Sequence, residues 1–229
     1  MPQNLSRGSR NCILSRLGAA DFRLLEPDLE AVDLPLRKVL EQRQRRVDNI
    51  YFPESGLASV VANGSGKKPI EVGIIGREGM SGLAVVLGND RPHHETYIQI
   101  AGQGQRLKAS ALRKALGQSS SLHRSLLRYA HSFLNQTART AVANGRSTIE
   151  ERLARWLLMA DDRIDGNELP LTHEFLAMML GVRRPGVTVA MQALERDGVI
   201  ARKPGRIVII DREALKNLSN GTYASAGYQ

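Results

Sequence analysis

The chain is poor in cysteine, in aromatic residues and in long apolar runs, and each shortage excludes something. Cys12 is the only cysteine among 229 residues, so no intrachain disulfide framework exists. One thiol cannot supply the four or so thiolates of an iron–sulfur cluster, and a single cysteine fits a reducing cytoplasm. Cys12 reads as a spare thiol rather than a redox sensor. Aromatics make up 4% of the residues, few for the stacking platforms on which RNA readers hold bases. The longest apolar run, 175–182, falls well short of the about 18 residues that a membrane-crossing helix needs. The basic start MPQNLSRGSR has no apolar segment behind it, so no signal peptide is expected. Neither a Ser-His-Asp arrangement nor a phosphate-binding loop nor a dinucleotide fingerprint is present, and no catalytic residue is expected.

Positive charge is what the chain has in excess: 32 Lys and Arg against 23 Asp and Glu, a net +9. That balance admits a polyanionic partner, nucleic acid before membrane surface. Most of the excess lies in residues 1–150 and is dispersed, with Arg43, Arg45 and Arg46 the tightest group, as on a solvated face. Residues 181–210 differ. They hold six basic residues (Arg183, Arg184, Arg196, Arg202, Lys203, Arg206) against Glu195 and Asp197, a local +4 inside an otherwise near-neutral C-terminal region.

Hydrophobic periodicity divides the chain. After a polar arm of about 12 residues, Leu14–Val32 reads as one or two short helices broken by Pro27. Residues 36–108 carry short β-type runs (Asn49–Phe52, Leu57–Ala62, Ile70–Ile75, Thr96–Ile100) between Gly- and Pro-bearing turns, the pattern of an antiparallel sandwich or barrel. GQGQRL is read as a turn. A short helix over about Ala109–Leu116 precedes a long one, roughly Ser120–Gly145. Its stripe at Leu122, Leu126, Tyr129, Ala130, Phe133, Thr137, Ala141 and Asn144 follows helical spacing. That stripe either covers the barrel or forms a coiled-coil-like seam between two copies. Helix length and small residues favour the seam, with Leu126, Tyr129, Ala130, Phe133, Thr137 and Ala141 as dimerisation residues. Ser147-x-x-Glu150 resembles a capping box for the next helix, whose stripe is Ile149, Leu153, Trp156, Leu157 and Ala160, with Glu151 and Arg155 paired outside.

Residues 171–210 read as helix, tight turn, helix and hairpin. Thr172 caps a helix that buries Phe175, Leu176, Met179 and Leu180, and Gly181 suits a sharp turn. Val187, Ala190, Met191 and Leu194 form a complete buried stripe on the second helix, opposite Arg184, Thr188 and Gln192. Val199–Arg202 and Arg206–Ile210 then form strands around Lys203-Pro204-Gly205. This is a winged helix-turn-helix. A helix fits the major groove, so Arg184 near its start can donate two parallel hydrogen bonds to guanine. Arg183, Thr188 and Gln192 are secondary base or phosphate contacts, and Lys203 and Arg206 suit phosphate. The bland alternative is a helical hairpin with a solvated charged face.

With its β-rich N-terminal part, long helix and THEFLAMMLGVRRPGVTVAMQALERDGVIARKPGRIVII, the chain resembles the Crp/Fnr family of bacterial transcription regulators from about Leu14 to Leu215. The resemblance implies an α+β fold: an N-terminal antiparallel, jelly-roll-like β-roll of the cyclic-nucleotide-binding type, a long dimerisation helix and a C-terminal winged helix-turn-helix. The implied divisions are a mobile arm (1–12), sensor domain (13–118), dimerisation helix (119–146) and DNA-binding domain (147–229). It further implies a cytoplasmic homodimer that binds double-stranded DNA at a near-palindromic site, with RNA polymerase as a partner. Arg184 stands where the family reads guanine. Pro185 replaces a frequent Glu that reads cytosine, and Val189 a frequent Arg. In the sensor, Leu83 stands at the family's ligand-holding Glu, and His94-Glu95 near its Arg-Ser/Thr pair. Glu95 would repel a phosphate, so cyclic AMP is not expected, no cofactor is assigned and the effector is unknown. Arg77-Glu78 reads as a salt bridge or turn surface.

Two other classes compete. A cupin-like metal enzyme would use His93, His94 and Glu95, but strand alternation puts only His93 and Glu95 on one face, and His123, His131 and His173 lie on helices, so no metal site is expected. A non-enzymatic nucleic-acid or membrane-surface interaction protein would use the dispersed N-terminal charge.

Overall fold

The computed structural model describes residues 8–62 and 69–225 and divides into two compact units. The first comprises residues up to 60 together with 75–134, and the second comprises 61–74 with 135–227.

In the first unit, α1 (Cys12–Arg16) begins at Asn11, whose side chain accepts from the N–H groups of Ile13 and Leu14. Asn11 is fully buried, and its amide also donates to the carbonyls of Pro53 and Gly79, both at 2.8 Å. Ser9 donates to Glu54 at 2.6 Å. The C-terminal end of the expected mobile arm is therefore fastened, while residues 1–7 lie outside the described residues. After α2 (Ala19–Leu25) come β1 (Glu30–Leu34), β2 (Val39–Glu41), β3 (Asn49–Pro53) and β4 (Leu57–Ala62); the last two residues of β4 and all but the last of β5 (Ile70–Ile75) count with the second unit. A short α3 (Leu83–Val86), β6 (Glu95–Ile100), β7 (Gly102–Lys108) and α4 (Ala109–Gln118) complete the first unit. One sheet has the order β1-β7-β3 and a second the order β2-β6-β4-β5, and the β1–β7, β3–β7 and β2–β6 ladders are antiparallel.

The segment GQGQRL, read from sequence as a turn, is instead β7, the central strand of its sheet. Gly104 lies so close to β3 that a Cβ there would sit 2.5 Å from the Phe52 carbonyl oxygen. Glycine is what allows that approach, and glycine is also what disguises the strand.

The long helix α5 (Ser120–Arg146) begins in the first unit, where Leu122, Leu126 and Tyr129 join a core with Ile50, Phe52, Met80, Leu107 and Leu112. Burying such side chains stabilises by roughly 1.5–3 kcal/mol each. Tyr129 donates to the Met80 carbonyl at 3.3 Å, and its ring lies against Gly79. Phe133 packs against the same core. The stripe expected to form a dimer seam is thus turned, over Leu126, Tyr129 and Phe133, into the chain's own core, and Ala130 and Thr137 are half-buried; of the six, only Ala141 is exposed.

The second unit holds α6 (Ile149–Asp161), β8 (Glu168–Leu169), α7 (His173–Met179), α8 (Arg184–Arg196), β9 (Ile200–Lys203), β10 (Arg206–Ile209) and α9 (Arg212–Leu218), with a small sheet ordered β8-β10-β9. The capping box lies one residue later than expected: Thr148 accepts from Glu151 N–H, and the Glu151 carboxylate accepts from Thr148 N–H at 2.8 Å. That backbone hydrogen bond holds the Glu151 carboxyl below its ordinary range. Arg155 does not pair with Glu151 outside. It is 6% exposed and donates to Thr140 Oγ1 at 3.0 Å and to the Thr222 carbonyl at 3.2 Å. Burial pushes its guanidinium down to about 10.

Candidate nucleic-acid interface

A helix can present side chains to a groove only if its other face is anchored. On α8, Val187, Ala190, Met191 and Leu194 are all buried. α8 packs on both α6 and α7, where Leu153, Trp156, Leu157, Phe175 and Leu176 are buried too, with the Trp156 and Phe175 rings edge-on and their centroids 5.7 Å apart. Thr172 caps α7 by accepting from Phe175 N–H, as read from sequence. The turn follows at Gly181, whose φ of +61° favours glycine, and there Val182 N–H donates to Ala177 O. Arg152 donates to the Leu180 carbonyl from α6, tying the turn to the scaffold.

Arg183 is the N-cap of α8, Arg184 its first residue and Pro185 its second, and all three are exposed. Proline fits there because a first-turn N–H has no intrahelical acceptor. Gln192 is exposed two turns on, and Val189, 59% exposed, lies between. Thr188 is turned inward: its hydroxyl donates to the Arg184 carbonyl at 3.1 Å and lies 3.3 Å from His173 Nδ1. The outward face of α8 therefore carries Arg184, Pro185, Val189 and Gln192, with the Thr188 hydroxyl already engaged. Val189 was not among the sequence-derived contacts, although it stands at helical spacing from Pro185.

The wing is the β9–β10 hairpin, in register Arg206 to Lys203, turning at Pro204-Gly205 with φ +68° at the glycine. Both expected phosphate contacts are already paired. Lys203 Nζ lies 2.6 Å from one oxygen of Glu168 and Arg206 Nη1 3.1 Å from the other. Hydrogen bonds from Lys203 and then Arg206 hold the Glu168 carboxyl below its ordinary range. Such exposed pairs are weak and break readily when a phosphate competes. Glu168 was missed because it lies in a two-residue strand inside a turn-rich stretch. At the wing's base, Arg202 Nε donates to Glu195 Oε2 at 2.6 Å.

Leu83 is the first residue of α3, after Gly82 at φ +80°. His93 Nδ1 meets Gln44 Nε2 at 2.9 Å, Glu95 opens β6, and the buried Thr96 donates to Glu41 at 2.8 Å, with His94 Nε2 3.8 Å from the same carboxylate oxygen. Among the described residues no group of three or more His, Cys, Asp or Glu could hold a metal ion. Glu78 accepts from Gly76 N–H and the Arg77 carbonyl accepts from Cys12 N–H, so that pair shapes its turn.

Residues 151–218 match the family model of the Crp-like helix-turn-helix domain. No curated protein sequence matches the chain significantly. Solved structures do share its fold. A protein assigned to the Crp/Fnr family from Eubacterium rectale has a TM-score of 0.71 at 15% identity, covering 93% of this chain and 99% of its own. FixK2 from Bradyrhizobium japonicum has a TM-score of 0.69 at 19% identity, covering 87% and 99%. A CRP-family transcriptional regulator from Thermus thermophilus has a TM-score of 0.69 at 17% identity, covering 85% and 99%. The C-terminal part of the chain is thus a helix-turn-helix domain of the Crp-like type. As a whole the chain has the fold of the Crp/Fnr-type regulators it resembles, at 15–19% identity.

Proposed function

We propose that the protein is a cytoplasmic homodimer that reads a near-palindromic DNA site and regulates transcription together with RNA polymerase. The observation that carries base reading is the outward face of α8, with Arg184 exposed at the helix start. Arg184 reads guanine by two parallel hydrogen bonds and Gln192 an adenine, while Pro185 and Val189 offer thymine methyl groups an apolar surface. Pro185 cannot accept from cytosine, so the half-site departs from one read by a glutamate at that position. Arg183, Lys203 and Arg206 contact phosphate, the latter two exchanging Glu168 for the backbone.

Dimerisation uses a different stripe of α5 from the one the sequence favoured. Leu127, His131, Leu134, Ala138, Ala141 and Gly145 recur at alternating steps of four and three and are all exposed, Leu134 at 64%. That is heptad spacing, and the small residues at its C-terminal end permit close helix approach. A 27-residue helix extends about 40 Å, ample for a two-helix seam. The β-roll does not hold cyclic AMP by the family's pattern: Leu83 cannot accept from a ribose hydroxyl, and Glu95 would repel the phosphate.

Selection of bound duplexes from random DNA at stated salt tests this reading. The expected result is a palindromic consensus with half-sites one helical turn, about 34 Å, apart. Salt-sensitive binding without a consensus would refute it.

A further inference from the structure

His173 opens α7 and is half-exposed, and its imidazole touches the reading helix: Nδ1 lies 3.3 Å from the Thr188 hydroxyl of α8. That hydroxyl has one proton, and it goes to the Arg184 carbonyl at 3.1 Å. Toward His173 the oxygen can therefore only accept, so in the neutral imidazole Nδ1 carries the hydrogen and Nε2 keeps the basic lone pair. A second proton arrives at Nε2. The charged groups around the ring come from three elements. Arg184 of α8 and Arg202 of β9 both oppose that second proton. Arg202 is itself paired with Glu195 of α8, and Glu174, next to His173 on α7, is exposed. Burial, then Arg202 and Arg184, holds the ring below the ordinary imidazole range, so it is largely neutral in the free protein at neutral pH.

In a helix-turn-helix the first helix crosses the phosphate backbone while the second enters the groove. α7 is that first helix, and His173 is its residue in contact with α8, one turn from Arg184. A docked phosphate reverses the local balance of charge. It offsets the repulsion from Arg184 and Arg202, and it offers an anionic acceptor to an Nε2–H. We propose that His173 is a proton-linked phosphate contact: on docking, Nε2 takes a proton from solvent and donates it in a hydrogen bond to the DNA backbone, so that affinity for duplex rises as pH falls through the neutral range. Nδ1–H stays on Thr188 throughout and keeps the ring oriented. The inference rests on the DNA-reading assignment above and adds to it a response to pH. The chain's other histidines, His93, His94, His123 and His131, all belong to the first unit, which leaves His173 as the imidazole of the reader.

The full-length wild type and its His173→Gln and His173→Arg variants would be titrated with the selected duplex by fluorescence anisotropy from about pH 8 to about pH 6, across the range of an ordinary imidazole. Calorimetry in two buffers of different ionisation enthalpy would read the protons taken up on binding. Wild type is expected to gain about tenfold in affinity for each copy bound toward the acid end, the worth of one charge-assisted hydrogen bond. It should take up protons on binding at neutral pH. Its salt slope should steepen by about one per copy over the same range, as the new phosphate contact forms. His173→Gln keeps a neutral donor and should lose both the pH response and the proton uptake. His173→Arg is charged at every pH and should show the steeper slope with no pH response. Either variant keeping the wild-type pH response overturns the proposal. So does wild-type binding without proton uptake, a result that needs no variant to fold. Failure of the DNA-reading assignment would look different: the protein would then prefer no duplex at any pH, whereas failure here leaves the preference and removes only its pH response.

Discussion

Leu126 and Leu134 stand two turns apart on α5, and the structure gives them opposite roles. Leu126 is 0% exposed in the core of its own chain, whereas Leu134 is 64% exposed on the proposed seam. Leu126→Ala removes packed core atoms and should cost about 2–5 kcal/mol of folding stability. Leu134→Ala should leave the fold of the single chain almost untouched. Its cost falls on association: the three carbons removed are worth about 0.8 kcal/mol each when buried, of which roughly two thirds remain to be buried by a partner. That is about 1.5 kcal/mol per copy and about 3 kcal/mol for two symmetric copies, or roughly two orders of magnitude in the dimer Kd. Sedimentation equilibrium over a range of protein concentrations would read the Kd, and denaturant unfolding at a concentration where both variants are monomeric would read the fold. An unchanged Kd in Leu134→Ala would refute the exposed stripe as the seam. A shifted Kd in Leu126→Ala without loss of folding stability would restore the stripe first favoured.

Other outcomes follow from the reader. Arg184→Ala should cost about 1–3 kcal/mol on the selected duplex and relax one base position, whereas Lys203→Ala should weaken all duplexes alike and reduce the salt slope by about one, both measured by fluorescence anisotropy at several salt concentrations. Uracil in place of the thymine facing Val189 removes one methyl, about 0.8 kcal/mol or fourfold in affinity, and a Val189→Ser protein should be indifferent to the exchange. Glu168→Gln should tighten binding to random duplex and steepen its salt dependence, since Lys203 and Arg206 would no longer exchange a carboxylate for phosphate; an unchanged slope would show that the wing stays off the backbone. Burial, then Arg202 and Arg184, lowers the His173 pKa from 6.5. The native state therefore resists a proton that the unfolded chain accepts, so stability is full above about pH 6.5 and declines as pH falls toward the native pKa. Denaturant midpoints of His173→Gln should decline less than wild type between pH 7 and 5 (roughly the range of an ordinary imidazole).

Where sequence and structure agree, one local signal was enough. Thr172, Gly181 and the stripe Val187, Ala190, Met191, Leu194 specify cap, turn and buried face within a few residues of one another, and each does in the structure what its chemistry implies. Where they differ, the deciding partner is distant. Helix α5 carries two stripes at almost the same spacing, one through Leu122, Leu126, Tyr129 and Phe133 and the other through Leu127, Leu134, Ala138 and Ala141. Periodicity alone ranks the bulkier stripe first, yet bulk is what a β-roll core needs, and Met80, Phe52 and Leu112 take it up. The surface left exposed, and proposed above as the seam, is the one carrying Leu127, Leu134 and small residues. Arg155 repeats the lesson on α6: its spacing from Glu151 suggested an outside pair, but Thr140 and Thr222, 15 and 67 residues away, draw it inward. Lys203 and Arg206 were rightly placed on a wing, while Glu168, 35 residues before Lys203, already holds both. In the proposed complex the wing would therefore meet a phosphate with less net charge than its sequence advertises, and specificity would rest the more on what α8 presents to the bases.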